Sequence, residues 1–258
     1  NSNGLAPTPA ATPRQLVRRL HIDLLGLPPA PEVVSAFVAH PSDQAYAVLV
    51  SRLLASPGYG ERWGRHWLDV VRFGESNGFE RNDPRRTFWP YRDWVIDALN
   101  RDMPYDRFAR LQLTGDLLIA GREGAASAGF LVAGVHNTVV GGSKRMKLLA
   151  RQDELEELAA SVGQTFLGLT VNCARCHDHK FDPIPTTEYY RFISALDGVV
   201  HGERQVAETA IEGQLAKVNS QIKDLSDKLV VIEKRARQQV LKKRKTSPVK
   251  NPRMKRPA

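Results

Sequence analysis

The sequence contains two cysteines, Cys173 and Cys176, which lie three positions apart and directly before a histidine, His177. This Cys-x-x-Cys-His spacing is the attachment motif of c-type haem. Two thiols at this separation can each form a thioether with one vinyl group of a porphyrin, and the adjacent imidazole can reach the iron. The motif therefore predicts one haem c per chain, held through three residues of one short loop, with His177 as the proximal ligand.

Three other interpretations of the motif stay open at this point. A structural zinc site could use both cysteines with His177, His179 or a distant ligand, but such sites usually need a second pair of ligands at a defined spacing. A thioredoxin-type redox pair would follow a strand, whereas the residues before Cys173 have helical periodicity. A plain disulfide is the third.

The residues after the motif suggest how His177 is oriented. We expect a backbone carbonyl near Pro183 to accept its N–H, as partners of metal-bound histidines do. His179 could be a second such group, a ligand to another metal with Asp178 or Asp182, or an exposed side chain.

Apolar residues recur at helical spacing along most of the chain, and no stretch alternates strictly between apolar and polar residues. The hydrophobic content of 42% and charged content of 25% are those of an ordinary globular protein. We therefore expect an all-α fold, with an extended lead-in over 1–11 and a haem-binding helical domain over 12–202. Helices are expected over about 13–25, 30–39, 43–56, 61–73, 89–103, 105–118, 144–169 and 187–196.

Residues 203–241 follow a different pattern, which predicts one long coiled-coil-like helix. Its apolar positions are spaced alternately four and three residues apart, which is a heptad repeat. Such a narrow stripe needs a partner: a second helix of a longer chain, a symmetry mate or another protein; the alternative is a helix lying on the body. The stripe consists of Ile211, Leu215, Val218, Ile222, Leu225, Leu229, Ile232 and Ala236.

The net charge of +9 comes from the C-terminal end of the chain. Eleven of the 37 Lys and Arg residues lie at or after Lys234, where no acidic residue occurs, so the rest of the chain is nearly neutral. We interpret 242–258 as a solvated basic tail and expect no nucleic-acid partner. No apolar run is long enough to span a bilayer, and no signal-peptide core is present at the start. Because the chain opens on Asn1, we expect it to be processed or a piece of a longer protein.

Several stretches resemble the planctomycete-type cytochrome c domain family, a domain of unknown function. The resemblance covers about 14–200 and is carried by 20–29, 59–70, 91–96, 100–106 and 166–184. It implies that the chain is a section of a larger secreted multidomain protein, outside the cytoplasm, with a neighbouring cytochrome or redox domain as its partner. One departure is that members of this family often carry Asp-Arg-Val-Asn where this chain has Glu157-Leu158-Ala159-Ala160.

The sixth iron position decides between electron transfer and catalysis. Candidate distal ligands are His136, which precedes two glycines, and His66, which lies between two tryptophans; further candidates are Met103, Met146, His21, His40 and His201. A filled position predicts an electron-transfer domain, whereas an open one predicts a haem oxidoreductase, for example one acting on a saccharide. A third hypothesis is a scaffold module with a structural haem.

Overall fold

A computed structural model describes residues 9–79, 81–204, 206 and 209–246. Across these residues every regular element is a helix, and one isolated bridge pairs Ser76 with Pro84, so the all-α prediction is confirmed. The α-helices are α1 Pro13–Leu25, α2 Pro31–Ala39, α3 Asp43–Leu54, α4 Pro57–Val70, α5 Trp89–Asn100, α6 Tyr105–Leu118, α7 Arg122–Ser127, α8 Lys144–Val162, α9 Thr186–Leu196 and α10 Thr209–Thr246.

Local sequence explains the first helix. The Thr12 side chain accepts the Gln15 N–H while the Gln15 side chain accepts the Thr12 N–H, and Pro13 fills the first helical position. Gly26 ends the helix in the left-handed region, at φ 70°. Helices α1 to α3 then enclose a small core, which consists of Val17, Leu20, Phe37, Leu49 and Leu53.

The main core lies between α4, α5, α6 and α8. Trp94 stacks on Phe108 with ring centroids 5.3 Å apart. A buried polar network crosses it, because the Gln112 side-chain oxygen accepts hydrogen bonds from the Tyr91 hydroxyl at 2.7 Å and the Trp67 indole at 2.8 Å. Burial raises the pKa of Tyr91 well above its usual range, so this hydroxyl stays a donor.

A second core supports the cysteine loop, and a π-helical turn follows α8 before that loop. The sequence predicts one helix over 144–169, but the α-helix ends at Val162 and a π-helical turn covers Gly163–Leu167. A Cβ at position 163 would come within 2.6 Å of the Val171 side chain, so the glycine lets the following loop fold back closely. This core consists of Leu155, Ala159, Val171, Ala174, Tyr189 and Ile193.

The chain divides into two compact units, Asn1–Arg204 and Gln205–Ala258. In the second unit, α10 runs five residues beyond the boundary placed at 241, since lysine and arginine favour helix over 242–246. Six stripe residues, from Leu215 to Ile232, are 49–63% exposed. The remaining part of the basic tail, 247–258, and residues 1–8 of the lead-in lie outside the described residues. No helix in the described part of the chain is long and apolar enough to cross a membrane.

Candidate functional site

The two cysteines lie on one face of a short 3₁₀ helix, Val171–Arg175, and its C-cap. Side chains three residues apart eclipse one another in a 3₁₀ helix, so Cys173 and Cys176 project on the same side. Both are exposed and free. Ala174, between them, is fully buried in the core beneath. The loop thus presents two unbonded thiols above a packed base.

His177 is also exposed, and one of its ring nitrogens is already engaged. Its Nδ1 lies 2.8 Å from the backbone oxygen of Asp178, so in the tautomer that donates this hydrogen bond Nε2 keeps a free lone pair. The expected acceptor was a carbonyl near Pro183; the structure places the acceptor one residue after His177 instead. A neighbouring carbonyl can still fix the tautomer and orientation of a metal-binding imidazole.

His179 has a different environment, although it is only two residues further on. Its side chain is 6% exposed. Its Nδ1 accepts N–H groups from Asp182 at 2.9 Å and Phe181 at 3.3 Å, while Nε2 lies 3.0 Å from the Thr170 hydroxyl. Both ring nitrogens are therefore used inside the loop, so the expectation of an exposed or metal-binding His179 is wrong for this arrangement.

Charged side chains fasten the loop to its neighbouring helices. Arg175 pairs with Asp153, 3.2 Å away, and with Glu156, both on α8. The Asp178 carboxylate accepts the Thr186 N–H at 2.8 Å, which satisfies a donor at the start of α9. The loop is thereby held from both sides, and its three motif residues keep a defined arrangement.

The metal alternatives can be compared with this geometry. Within the described ranges, the only group of three or more potential ligands whose atoms all lie within 4.8 Å of one another is His136, Glu154 and His201. Cys173, Cys176 and His177 form no such group, which disfavours a tetrahedral zinc site. The thioredoxin interpretation also lacks its strand, because regular structure before the motif is helical. Two free thiols with one oriented imidazole are the donor set that covalent haem attachment needs.

The candidate distal ligands lie in other surroundings. His66 is exposed on α4, where its ring meets the edge of Trp63 at 5.5 Å between centroids. Met103 packs against the main core, and Met146 is exposed at the start of α8. Among the described residues, these three side chains pack or lie elsewhere and make no hydrogen bond, ion pair or ring contact with the cysteine loop.

His136 belongs to a second cluster on α8. Its Nδ1 lies 2.7 Å from a Glu154 carboxylate oxygen, and its ring stacks on His201 with centroids 4.1 Å apart. At about 100° per residue, Glu154 projects about 130° around the helix from the midpoint of Asp153 and Glu156, which hold the cysteine loop. The structure therefore groups His136 with Glu154 and His201 rather than with His177, and distal ligation by His136 stays a prediction.

Residues 157–160, where this chain differs from the family pattern described above, are largely part of the interior. Leu158, Ala159 and Ala160 are all buried, and Glu157 pairs with Arg72 from the end of α4. In this chain these positions serve packing and one ion pair.

Residues 1–201 match the family PSCyt2, described as a protein of unknown function (DUF1549). The chain belongs to this family. The PSCyt2 match ends three residues before the first compact unit ends at Arg204, so it covers the described helices α1 to α9 and the whole cysteine loop. Searches of curated proteins and of solved structures find no match to the chain.

Two features of the PSCyt2 domain were missed by the sequence argument. The role of His179 as the hydrogen-bonding centre of its loop depends on backbone positions that sequence spacing does not reveal. The assembly of His136, Glu154 and His201 brings together three segments far apart in the chain. The only signal for this cluster in the sequence is that one histidine precedes, and another follows, the helix that carries Glu154.

Proposed function

We propose that this PSCyt2 domain is a c-type cytochrome domain with one covalently attached haem, acting in electron transfer within a larger extracytoplasmic redox protein. Cys173 and Cys176 would hold the two vinyl positions, and His177 would be the proximal ligand. The observation that carries the proposal is the exposed pair of free thiols on one face beside an imidazole whose Nδ1 is engaged by a carbonyl.

The chain's own residues contribute orientation and rigidity. A bound haem supplies a one-electron couple. The Asp178 carbonyl keeps the proton of His177 on Nδ1, which leaves Nε2 as the coordinating atom. Arg175 and His179 fix the loop to α8 and to its own turn. A loop held in this way changes little between two oxidation states, which suits electron exchange.

The surface position of the loop favours electron transfer over catalysis on an enclosed substrate. Cys173, Cys176 and His177 are all exposed, and the rim of the loop carries Phe181, which is 83% exposed. The side chain of Lys180 lies 5.2 Å from the Phe181 ring centre. A group attached here would have an edge near solvent, where a neighbouring cytochrome or redox domain could approach it.

The proposed location follows from the chemistry of attachment. Thioether formation to haem takes place outside the cytoplasm, so a chain with this cofactor would mature in the periplasm or during secretion.

An absorption experiment tests the proposal on the protein expressed with cytochrome c maturation machinery. Spectra are recorded oxidised, reduced with dithionite, and reduced under carbon monoxide. We expect a haem c spectrum that carbon monoxide leaves unchanged, because an electron-transfer site has both axial positions filled. A prompt carbon monoxide shift would overturn electron transfer in favour of a haem oxidoreductase with an open distal site, and absence of haem would overturn the whole proposal.

A further inference from the structure

His136, Glu154 and His201 meet beside α8 in an arrangement that the haem proposal does not use. Their potential ligand atoms all lie within 4.8 Å of one another. The two imidazoles are nearly parallel, at 14°, and Nδ1 of His136 lies 2.7 Å from Glu154 Oε1. That nitrogen is buried and makes no properly angled hydrogen bond despite the short distance. Nδ1 of His136 and the Glu154 carboxylate are therefore close enough to serve one cation after moving slightly apart.

We propose that His136, Glu154 and His201 bind one divalent first-row transition-metal ion, such as zinc or iron(II), at a site separate from the cysteine loop. Two imidazoles and one carboxylate are a ligand set that both ions accept. Metal–ligand distances of about 2.0–2.2 Å place neighbouring ligand atoms roughly 3–4 Å apart, so the present cluster needs only small side-chain movements.

The segments that carry the two histidines are fixed by two arginines. Arg85 donates to the backbone oxygen of Val132 at 2.6 Å and, more weakly, to those of Ala133 and Gly134, just before His136. Arg151 donates to the carbonyls of Asp197 and Val199, just before His201, at 2.8 and 2.7 Å. These contacts hold the cluster's two loops against α8, and we infer that both arginines are positioning residues.

Arg151 also orients the carboxylate. One of its nitrogens lies 3.3 Å from Glu154 Oε2, while Oε1 points to His136. Such outer contacts fix ligand orientation in metal sites. The cost is electrostatic, because Arg85 and Arg151 add positive charge near a cation site.

The site borders a small cleft of about 20 Å³, which is room for about one water molecule. A three-residue ligand set leaves a coordination position free for a water molecule on this side. The cleft is lined by Phe130, Leu131, Val135, Arg151, Glu154 and His201, among others.

Zinc binding by the purified full chain, whether or not it carries haem, tests this inference, with the metal content measured after dialysis against zinc alone. We expect one zinc per chain, and at least a tenfold loss of affinity in each of His136→Ala, His201→Ala and Glu154→Gln. The matched control is His40→Ala, which removes an exposed histidine at the end of α2 and is expected to bind zinc normally. Unchanged binding in the three variants would overturn the site.

A second measurement does not depend on whether the variants fold. X-ray absorption at the zinc edge of the loaded wild-type protein should show two imidazole ligands with oxygen and no sulfur. Sulfur ligation would instead locate the zinc at Cys173 and Cys176, and ligation without imidazole would contradict the inference. Both results are independent of the haem proposal, because haem attachment is read from the visible spectrum.

Discussion

Two neighbouring histidines of one loop show how local hydrogen bonds separate residues with the same chemistry. In His177, Nδ1 is hydrogen-bonded to a backbone carbonyl and Nε2 has no partner, whereas in His179 both ring nitrogens are hydrogen-bonded within the loop. Sequence alone assigns His177 from its place beside Cys176. It cannot assign His179, because the partners are backbone N–H groups whose positions are known only after folding.

The role of His179 predicts a loss of stability on truncation. His179→Ala leaves the Phe181 and Asp182 N–H groups without their acceptor and the Thr170 hydroxyl without its partner. These groups are exposed or half-buried, so water replaces part of what is lost, and each missing hydrogen bond costs about 0.5–1.5 kcal/mol. We expect a fall of about 1–3 kcal/mol in the free energy of unfolding, measured by urea denaturation, with little change in the exposed control His40→Ala. Equal stability of the two variants would contradict a structural role for His179.

Tyr189 gives a pH-dependent prediction at the residue scale. Its side chain is buried beneath the cysteine loop, and its hydroxyl has no hydrogen-bond partner. Burial raises its pKa above 10, and the nearby Arg175 partly opposes this shift. The unfolded chain therefore releases this proton first, so the contribution of Tyr189 is complete below pH 10 and is lost as the pH rises further.

We expect Tyr189→Phe to be as stable as wild type at pH 7, because it removes an unpaired hydroxyl and keeps the ring. Above pH 10 its melting temperature should fall less steeply than that of wild type. Tyr189→Ala should lose about 3–5 kcal/mol, as large aromatic truncations do. Parallel melting curves of the wild type and the phenylalanine variant from pH 9 to 11 would refute the assigned shift.

At the scale of elements, helix lengths were predicted best where caps and breakers are local. Thr12, Pro13 and Gly26 bound α1 as expected. The end of α8 was predicted too late, because its π-helical turn depends on the close approach of Val171 to Gly163. A long-range contact of this kind leaves no periodic signal in the sequence.

The α6–α7 hairpin predicts the effect of a single methyl group. A Cβ on Gly124 would lie 1.9 Å from the backbone oxygen of Ile119 and 2.5 Å from that of Gly115. Backbone atoms cannot move aside cheaply, so Gly124→Ala should destabilise the protein by about 1–3 kcal/mol or more. Gly142→Ala is the matched control, since its Cβ would meet nothing within 4 Å. We expect urea denaturation to separate the two variants clearly; similar midpoints would contradict this packing.

The heptad stripe of α10 predicts helix pairing. In the isolated chain the available partner is a second copy, so we expect concentration-dependent association in sedimentation velocity. Leu225→Asp, on the stripe, should abolish this association because a carboxylate is poorly tolerated at a packed apolar position. Lys223→Asp, off the stripe, should retain it. A wild-type chain that stays monomeric at the highest concentration would contradict self-pairing.

At the scale of the whole molecule, the all-α class and the composition of the cysteine loop could be predicted, because each rests on short-range pattern. The grouping of His136 with Glu154 and His201 could not, since it depends on how the loops before α8 and after α9 return to that helix. The sequence suggested His136 as the distal haem ligand, on the other side of the iron from His177, only because both residues are potential ligands. In the structure, Glu154 contacts His136 on one side of α8, and the residues that pair with Arg175 lie on a different side. Sequence spacing does not reveal which loop meets which side.

Covalent haem on the purified chain can be counted directly. The protein is expressed with maturation machinery, denatured, and examined by intact mass spectrometry together with its pyridine haemochrome spectrum. We expect one haem per wild-type chain, retained after denaturation, and none in the Cys173→Ser, Cys176→Ser double variant. A wild-type chain that matures without haem, alongside a control cytochrome c that acquires it, would rule out covalent attachment at this loop.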